Sequence, residues 1–160
     1  TCLVINRVLF HEYGFRGAGK DFEHPENSFL HRVLERRQGL PITLSVLYLL
    51  IARRIDLELE PIGLPGRFMV GCFSEDRPFY LDAWSGGKIL ELEHMENFLE
   101  HSSIEDSGSA LLPVTVGETL CRGCRNLVHH FLIAKDSEKS NLFSGFVKEF
   151  ERVQRLASNA

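Results

Sequence analysis

Residues 39–54 have the sequence GLPITLSVLYLLIARR, and this stretch decides the fold. It is the only run in the chain that is apolar almost all the way round, and a helix without a polar stripe is a buried helix. Pro41 suits the first helical position, because its missing N–H group needs no partner there. Arg53 and Arg54 suit the negative end of the helix dipole. The stretch therefore predicts a buried central helix from about Pro41 to Arg54.

After this helix the apolar period changes from 3.6 residues to 2, which is typical of strands. Pro65-Gly66 and Gly86-Gly87 are turn signals between the apolar runs. Four strands are predicted, at residues 57–62, 67–72, 79–84 and 88–90. We expect them to form a small antiparallel meander that lies against the central helix.

Helical spacing of apolar residues predicts further helices on both sides of this unit. Residues 2–13 form the first of these, with Gly14 as its stop, and the second runs from a cap at Asn27 or Ser28 to Gly39. A loop at 15–26 separates these two helices. Three more helices are predicted at 92–101, 116–134 and 137–156, and a polar loop at 102–109, which is predicted to be mobile, follows the first of the three.

The last two predicted helices form an antiparallel pair. The last of them carries an apolar stripe that we expect to face inward, formed by Leu142, Phe143, Phe146, Phe150 and Val153. The predicted fold class is thus α+β, in one domain over residues 1–160. Its core spans residues 27–92, and a C-terminal helical extension spans residues 114–157.

The composition is that of an ordinary soluble globular protein, with 160 residues, 44% hydrophobic, 25% charged and a formal net charge of −4. This charge argues against a nucleic-acid partner, which requires a basic patch. The apolar run at 42–52 is too short to span a bilayer, so no membrane partner is expected. The four cysteines form no extracellular framework and predict reduced thiols in a cytoplasmic protein. The oligomeric state is not indicated.

Cys121 and Cys124 have the spacing of half a zinc site or of a redox pair. Both lie on the apolar stripe of a predicted helix, where free cysteine acts as a small buried hydrophobe. The seven histidines are scattered and lack metalloprotease spacing. We therefore expect no metal and no cofactor.

Three positions in the predicted fold converge on one place. They are the helix start at Pro41, Arg67 on the second strand and Asp82 on the third strand. A nucleophile at a helix start has its pKa lowered by the helix dipole. With a base and an orienting carboxylate on the neighbouring strands, this is the layout of a Cys-His-Asp acyl-transfer site.

The segments that carry these positions resemble the signature of the bacterial SirB-type transglutaminase-like family. They are residues 27–45, 64–70 and 80–87, and the segments 6–10, 13–15 and 122–127 are also similar to that family. The resemblance covers nearly the whole chain. It implies a papain-like transglutaminase fold, with a catalytic cysteine at the start of the central helix and a histidine base on the second strand. It also implies tetratricopeptide-like helices after the core.

This sequence departs from that pattern at two of the three triad positions. Pro41 stands where the resemblance implies the nucleophile, and Arg67 stands where it implies the base. Arginine stays protonated and cannot act as a base. Only Asp82 matches, so the triad is interpreted as vestigial. We expect Arg67 to pair with Asp82, which would lock the old cleft or hold an anionic group at the helix N-terminus.

Three functional hypotheses remain open. The first is a catalytically degenerate domain with a regulatory or scaffolding role that binds a protein or peptide. Its candidate cleft residues are Thr43, Ser45, Arg67, Asp82 and Trp84. The second is an amide-bond hydrolase or acyltransferase that uses Thr43 and Asp82, with Cys72 as a weaker alternative nucleophile on the opposite strand face. The third is a structural module whose own side chains fill the cleft.

Overall fold

A computed structural model of the chain describes residues 1–74, 77–101 and 107–158. The N-terminal elements are α1 (Cys2–Asn6), which continues into a π-helical turn (Arg7–Glu12), then β1 (Arg16–Gly17), two 3₁₀ turns (Gly19–Asp21 and Pro25–Ser28), α2 (Leu30–Arg36) and β2 (Gln38–Gly39). The central part contains α3 (Pro41–Arg54), β3 (Glu60–Ile62), β4 (Met69–Cys72), β5 (Phe79–Asp82) and β6 (Lys88–Glu91). The C-terminal part contains α4 (Leu92–His101), α5 (Ser107–Ala110), α6 (Val116–Ile133) and α7 (Ser137–Ser158).

Helix α3 lies in the centre of the fold, with the bounds that the sequence predicts. Its buried side chains Leu44, Leu47 and Tyr48 pack in one cluster with residues of α1, the π-helical turn, α2 and the sheet, among them Ile5, Leu9, Val33, Val70 and Leu81. The hydroxyl of Tyr48 donates a hydrogen bond of 3.1 Å to the carbonyl of Cys2. The buried phenol therefore has a partner, and the N-terminal helix is tied to α3.

The four-stranded sheet is the predicted antiparallel meander, with strand order β3-β4-β5-β6. One face packs on α3 through Val70 and Leu81. The other face packs on α4, where Met69 and Tyr80 meet a second cluster that includes Met95 and Leu99. All four residues of β4 are buried as a result. The alternating pattern of apolar residues predicted which side chains share a face of the sheet. In the structure, α3 covers one face and α4 covers the other.

Three details of the N-terminal region differ from the sequence prediction. The segment 15–26 contains β1 and 3₁₀ turns rather than only loop. Helix α2 begins after Phe29 without a side-chain cap, and it ends at Arg37, whose φ of 53° is left-handed. Gly39 does not end the helix: it pairs with Gly17 in a short parallel ladder. A Cβ on Gly39 would come within 2.7 Å of the Thr43 hydroxyl, which explains the glycine.

The C-terminal helices α6 and α7 form the predicted hairpin, and Thr115 and Glu118 cap the start of α6 with a reciprocal pair of hydrogen bonds. The stripe on α7 is only partly inward. Phe143 stacks on Phe131 of α6 at a centroid distance of 5.7 Å. Leu142, Phe146 and Val153 are exposed. This part of the prediction was wrong, because α7 has α6 as its main neighbour and one neighbour cannot cover so wide a stripe.

Most of the predicted mobile loop at 102–109 lies outside the described residues, as does part of the hairpin loop at 75–78. Among the helices that the structure describes, none is both long and apolar enough to cross a bilayer.

The burial of α3 predicts unequal costs for two leucines on that helix. Leu44 is 1% exposed and Leu50 is 48% exposed. Leu44→Ala leaves a cavity and is expected to lower the free energy of unfolding by about 2–5 kcal/mol. Leu50→Ala, the matched control, should cost less than about 1 kcal/mol. Urea unfolding followed by circular dichroism measures both, and equal costs would contradict the assignment of α3 as the core helix.

His130 is a buried polar residue on α6, and its Nδ1 has no hydrogen-bond partner in the described part of the chain. Burial lowers the pKa of His130, and neighbouring His129 and His24 lower it further, against an opposing effect of Glu23. The ring of Phe22 lies at 6.1 Å from the imidazole. The folded state therefore holds His130 in its neutral form.

This buried histidine predicts a loss of stability in acid. Below about pH 6.5 His130 is protonated in the unfolded state but is still neutral in the folded state. The free energy of unfolding therefore falls as the pH decreases toward the lowered pKa of the folded state. His130→Gln should flatten this slope between about pH 7.5 and pH 5. His94→Gln, at an exposed position on α4, is the matched control and should leave the slope unchanged. Urea midpoints across this range measure the effect.

Candidate functional site

Arg67 and Asp82 form the ion pair that the sequence predicts. Asp82 is the last residue of β5, and its Oδ2 lies 3.2 Å from Nη2 of Arg67. The Asp82 side chain is 2% exposed and the Arg67 side chain is 35% exposed. The prediction placed Arg67 on the second strand. In the structure it lies in the turn before β4, which begins at Met69. The turn and the end of the neighbouring strand bring the two side chains together.

The carboxylate of Asp82 accepts hydrogen bonds from its own turn as well as from Arg67. Oδ1 accepts from the backbone N–H groups of Trp84 at 3.0 Å and Ser85 at 3.3 Å. Oδ2 accepts from the hydroxyl of Ser85 at 2.9 Å. A buried carboxylate needs such partners to remain charged. This acid is thus engaged in holding the turn after β5.

The turn that carries Arg67 is held from three sides. The guanidinium of Arg67 lies over the ring of Phe98 on α4, at 5.1 Å from its centroid. Nη2 of Arg122 on α6 donates to the carbonyl of Arg67 at 2.9 Å. The carbonyl of the next residue, Phe68, accepts a hydrogen bond of 3.2 Å from the Ser45 hydroxyl. Arg122 is a contact that the sequence analysis missed, although it lies in a segment that carried the family resemblance.

The start of α3 meets this turn, as the sequence predicts. Leu40 and Ile42, on either side of Pro41, form a small buried cluster with Phe68. The helix start, the Arg67 turn and the end of β5 are therefore contiguous. Pro41 occupies the first helical position, so the residue at the dipole end of the helix has no nucleophilic atom.

The two hydroxyl groups in the first turns of α3 are buried and hydrogen-bonded. The Thr43 hydroxyl donates to the carbonyl of Asn27 at 2.9 Å and accepts from the N–H of Leu40 at 2.8 Å. Ser45 donates to Phe68, as described above. A hydroxyl nucleophile needs a base that takes its proton. In the described part of the chain, these two hydroxyl protons face backbone carbonyls instead.

Trp84 lies beside the site and packs within the protein. Its ring covers Gly17, where an added Cβ would come within 2.7 Å of the indole. Phe22 meets the indole edge to face at a centroid distance of 5.4 Å. Trp84 is partly buried against the main core. The side chain thus fixes the turn after β5 against the N-terminal segment.

Asn6 supports the same turn from α1. Its Nδ2 donates a hydrogen bond of 2.7 Å to the carbonyl of Gly87. Gly87 has a φ of +78°, and an added Cβ would collide with the Asn6 side chain, so glycine is required there. The contact joins residues 81 positions apart, and no local pattern in the sequence indicates it.

Two of the four cysteines lie where burial disfavours the thiolate. Burial raises the pKa of Cys124, and nearby Cys121 adds to this effect. Burial likewise raises the pKa of Cys2. Cys72, the alternative nucleophile, is buried on β4, with its Sγ 3.6 Å from the Ser74 hydroxyl. Among the described residues, no group of three or more His, Cys, Asp or Glu side chains has the geometry to hold a metal ion.

Two concave surfaces of the described residues differ in size and place. A groove of about 740 Å³ runs along the C-terminal half of α3 and includes Leu50 and Arg53 in its lining. A cavity of about 230 Å³ lies between Phe68 and helix α6, where Arg122 and Arg125 line it. The larger groove is therefore at the opposite end of the helix from Pro41.

The hydrogen bonds of Asp82 predict that replacing Asp82 destabilises the protein more than replacing Arg67. Asp82→Ala removes the acceptor of two N–H groups, a hydroxyl and a guanidinium, and should lower the free energy of unfolding by about 2–4 kcal/mol. Arg67→Met keeps an apolar side chain of similar length at this position and leaves Asp82 its other donors, so it should cost about 1 kcal/mol.

Urea unfolding at pH 7 measures this order. Glu149→Gln, at an exposed i,i+3 pair with Arg152, serves as the control and should leave the midpoint unchanged. A cost for Arg67→Met as large as that for Asp82→Ala would show that the pair itself, and not the turn around Asp82, is the main source of stability.

Comparison with known proteins gives a family for this arrangement. The family model for the transglutaminase-like superfamily matches residues 1–125. A UPF0162 protein of Xylella fastidiosa is 36% identical over 92 residues, which are 58% of this chain and 33% of that protein. A UPF0162 protein of Vibrio cholerae is 32% identical over 81 residues, which are 50% of this chain and 30% of that protein.

A mammalian protein is similar to the same extent. F-box only protein 21 of Mus musculus is 35% identical over 101 residues, which are 58% of this chain and 16% of that protein. The chain thus spans a third or less of the length of these relatives. No solved structure matches the chain with significance. The family model covers more than half of the chain, and the helix start, turn and strand end described above lie within the match. The chain therefore belongs to the transglutaminase-like superfamily, and its mixed helix and sheet architecture is consistent with the α+β fold of that family.

Proposed function

We propose that this chain is a catalytically degenerate transglutaminase-like domain of the SirB type, which binds a protein or peptide and has a regulatory or scaffolding role. The ion pair between Arg67 and Asp82 carries the proposal. An acyl-transfer triad needs a nucleophile, a base that accepts its proton and a carboxylate that orients the base. In this chain Arg67, a permanent cation, stands at the position proposed for the base, and its guanidinium pairs with the carboxylate of Asp82.

The hydrogen bonds of Thr43 argue against the alternative of an amide-bond hydrolase or acyltransferase. That alternative requires the Thr43 hydroxyl to transfer its proton to a base on the way to attack. Its proton faces the carbonyl of Asn27, and the hydroxyl also accepts a bond that satisfies the start of α3. Freeing this hydroxyl would leave a buried N–H group without a partner, which is costly.

The relatives support a binding role for the domain. Similar segments occur in bacterial proteins of which they form about a third and in a mammalian protein of which they form about a sixth. A segment that recurs within proteins of different build is expected to act as a module beside other segments. We propose a core at residues 27–92 with a helical extension at 114–157, a cytoplasmic location, no requirement for a cofactor, and neither nucleic acid nor membrane as partner.

The degenerate triad predicts that thiol chemistry returns when the missing groups are restored. Pro41→Cys combined with Arg67→His should create a thiolate at the helix start, with a pKa at least about 1 unit below that in Pro41→Cys alone. The rate of alkylation by iodoacetamide as a function of pH measures this pKa. The unaltered protein, with its four native thiols, provides the background rate.

The activity of the unaltered protein is the direct test. It should release no ammonia or amine from glutamine-containing peptides above the rate without protein. Release that is abolished by the isosteric variant Thr43→Val, but not by Cys72→Ala, would overturn the proposal in favour of the hydroxyl enzyme.

A further inference from the structure

The groove along the C-terminal half of α3 is bounded by three elements of the chain. Helix α3 forms one wall, the segment from Asp56 to Pro61 forms the second, and the first turns of α6 form the third. Its volume is about 740 Å³, within the range of built ligand sites. The apolar side chains that line it are Val46, Leu49, Leu50, Leu57, Leu59, Pro61, Val116 and Leu120.

Several of these side chains are exposed to solvent. Leu50 is 48% exposed and Leu120 is 52% exposed, and Val116 is exposed to a still greater extent. A contiguous apolar surface that is concave and lies between structured walls is typical of an interaction site. The groove is separate from the Arg67 and Asp82 site, which lies at the other end of α3.

The rim of the groove carries an excess of negative charge. Asp56, Glu58 and Glu60 are all exposed along the wall that leads into β3. The described ion pairs include none of these three carboxylates, and the same holds for Arg53, the one cation of the lining. Three carboxylates against a single guanidinium attract a partner with basic groups beside its apolar surface.

The outer edge of β3 excludes one common mode of peptide binding. An added strand needs a row of free N–H and C=O groups at an exposed edge. Pro61 has no N–H group, and its carbonyl accepts a hydrogen bond of 2.9 Å from Val114. A bridge between Ile62 and Pro113 covers the next position. The groove can therefore recognise a partner through side chains, but not by extending the sheet.

We propose that this groove binds an amphipathic helix of a partner protein. The apolar face of that helix fills the groove, and its flanking lysine or arginine residues meet the rim of Asp56, Glu58 and Glu60. The inference rests on the binding role proposed above, for which it names the surface and the chemistry of the partner. It is independent of whether the triad is inactive.

A synthetic helix provides the probe for this surface. It is a fluorescein-labelled 18-residue peptide of leucine and lysine, with the leucines on one helical face, and fluorescence anisotropy reports its binding to the whole chain. A scrambled peptide of the same composition and a leucine and glutamate peptide of the same pattern are the peptide controls. We expect saturable one-to-one binding of the basic amphipathic peptide only, weakened by added salt.

Matched variants separate the groove from other exposed surfaces. Leu120→Asp should weaken binding by about tenfold or more, because it puts a charge in the apolar wall. Leu142→Asp, at a position of α7 that is 56% exposed, should leave the affinity unchanged. Glu58→Gln with Glu60→Gln should weaken binding by about threefold and reduce its dependence on salt. Glu93→Gln with Glu100→Gln, at exposed positions on α4, removes the same charge and should have no effect.

Four results would overturn the proposal. They are equal losses from Leu120→Asp and Leu142→Asp, equal binding of the scrambled peptide, a dimer in sedimentation experiments that Leu120→Asp abolishes, and binding of a small apolar dye in the groove without binding of any peptide. Circular dichroism of each variant verifies its fold. Ammonia release does not depend on this groove, so failure of the inference and failure of the inactive triad are separate outcomes.

Discussion

Helix α3 carries apolar side chains around nearly its whole circumference, so it is stable only where other elements cover most of that surface. The N-terminal helix covers it at Tyr48, α2 covers it through Val33, and the sheet covers it through Val70 and Leu81. The order of the elements follows from this requirement. Helices precede α3, a meander follows it, and α6 packs on α3 and on the turn before β4.

The buried end of β5 imposes a second requirement, which concerns the ion pair of Arg67 and Asp82. Asp82 lies at the end of a buried strand, and a carboxylate in that position must be paired and hydrogen-bonded. Two N–H groups, a hydroxyl and the guanidinium of Arg67 meet that need. In this chain the acid of the triad position thus supports the fold, which is a reason for its presence that does not depend on catalysis.

The two ends of α3 differ in how fully they are covered. At the start of the helix, Leu40 and Ile42 are buried against Phe68. Toward its end, Leu50 is exposed and borders an apolar groove with an acidic rim. The proposed binding surface therefore lies where the covering of the helix is incomplete. At the start of the helix, by contrast, the Thr43 and Ser45 hydroxyls are buried and bonded to the protein's own backbone carbonyls.

The pattern of the amino-acid sequence predicted the bounds of α3, the order of the meander and the pairing of Arg67 with Asp82. Local periodicity, turn residues and a permanent cation next to an acid are all local or pairwise properties. Four features follow from the folded chain alone: Thr43 and Ser45 face carbonyls, Asn6 holds the turn at Gly87, part of the α7 stripe is exposed, and the groove lies at the far end of α3. These features depend on which distant segments meet, and neither periodicity nor spacing along the chain contains that information.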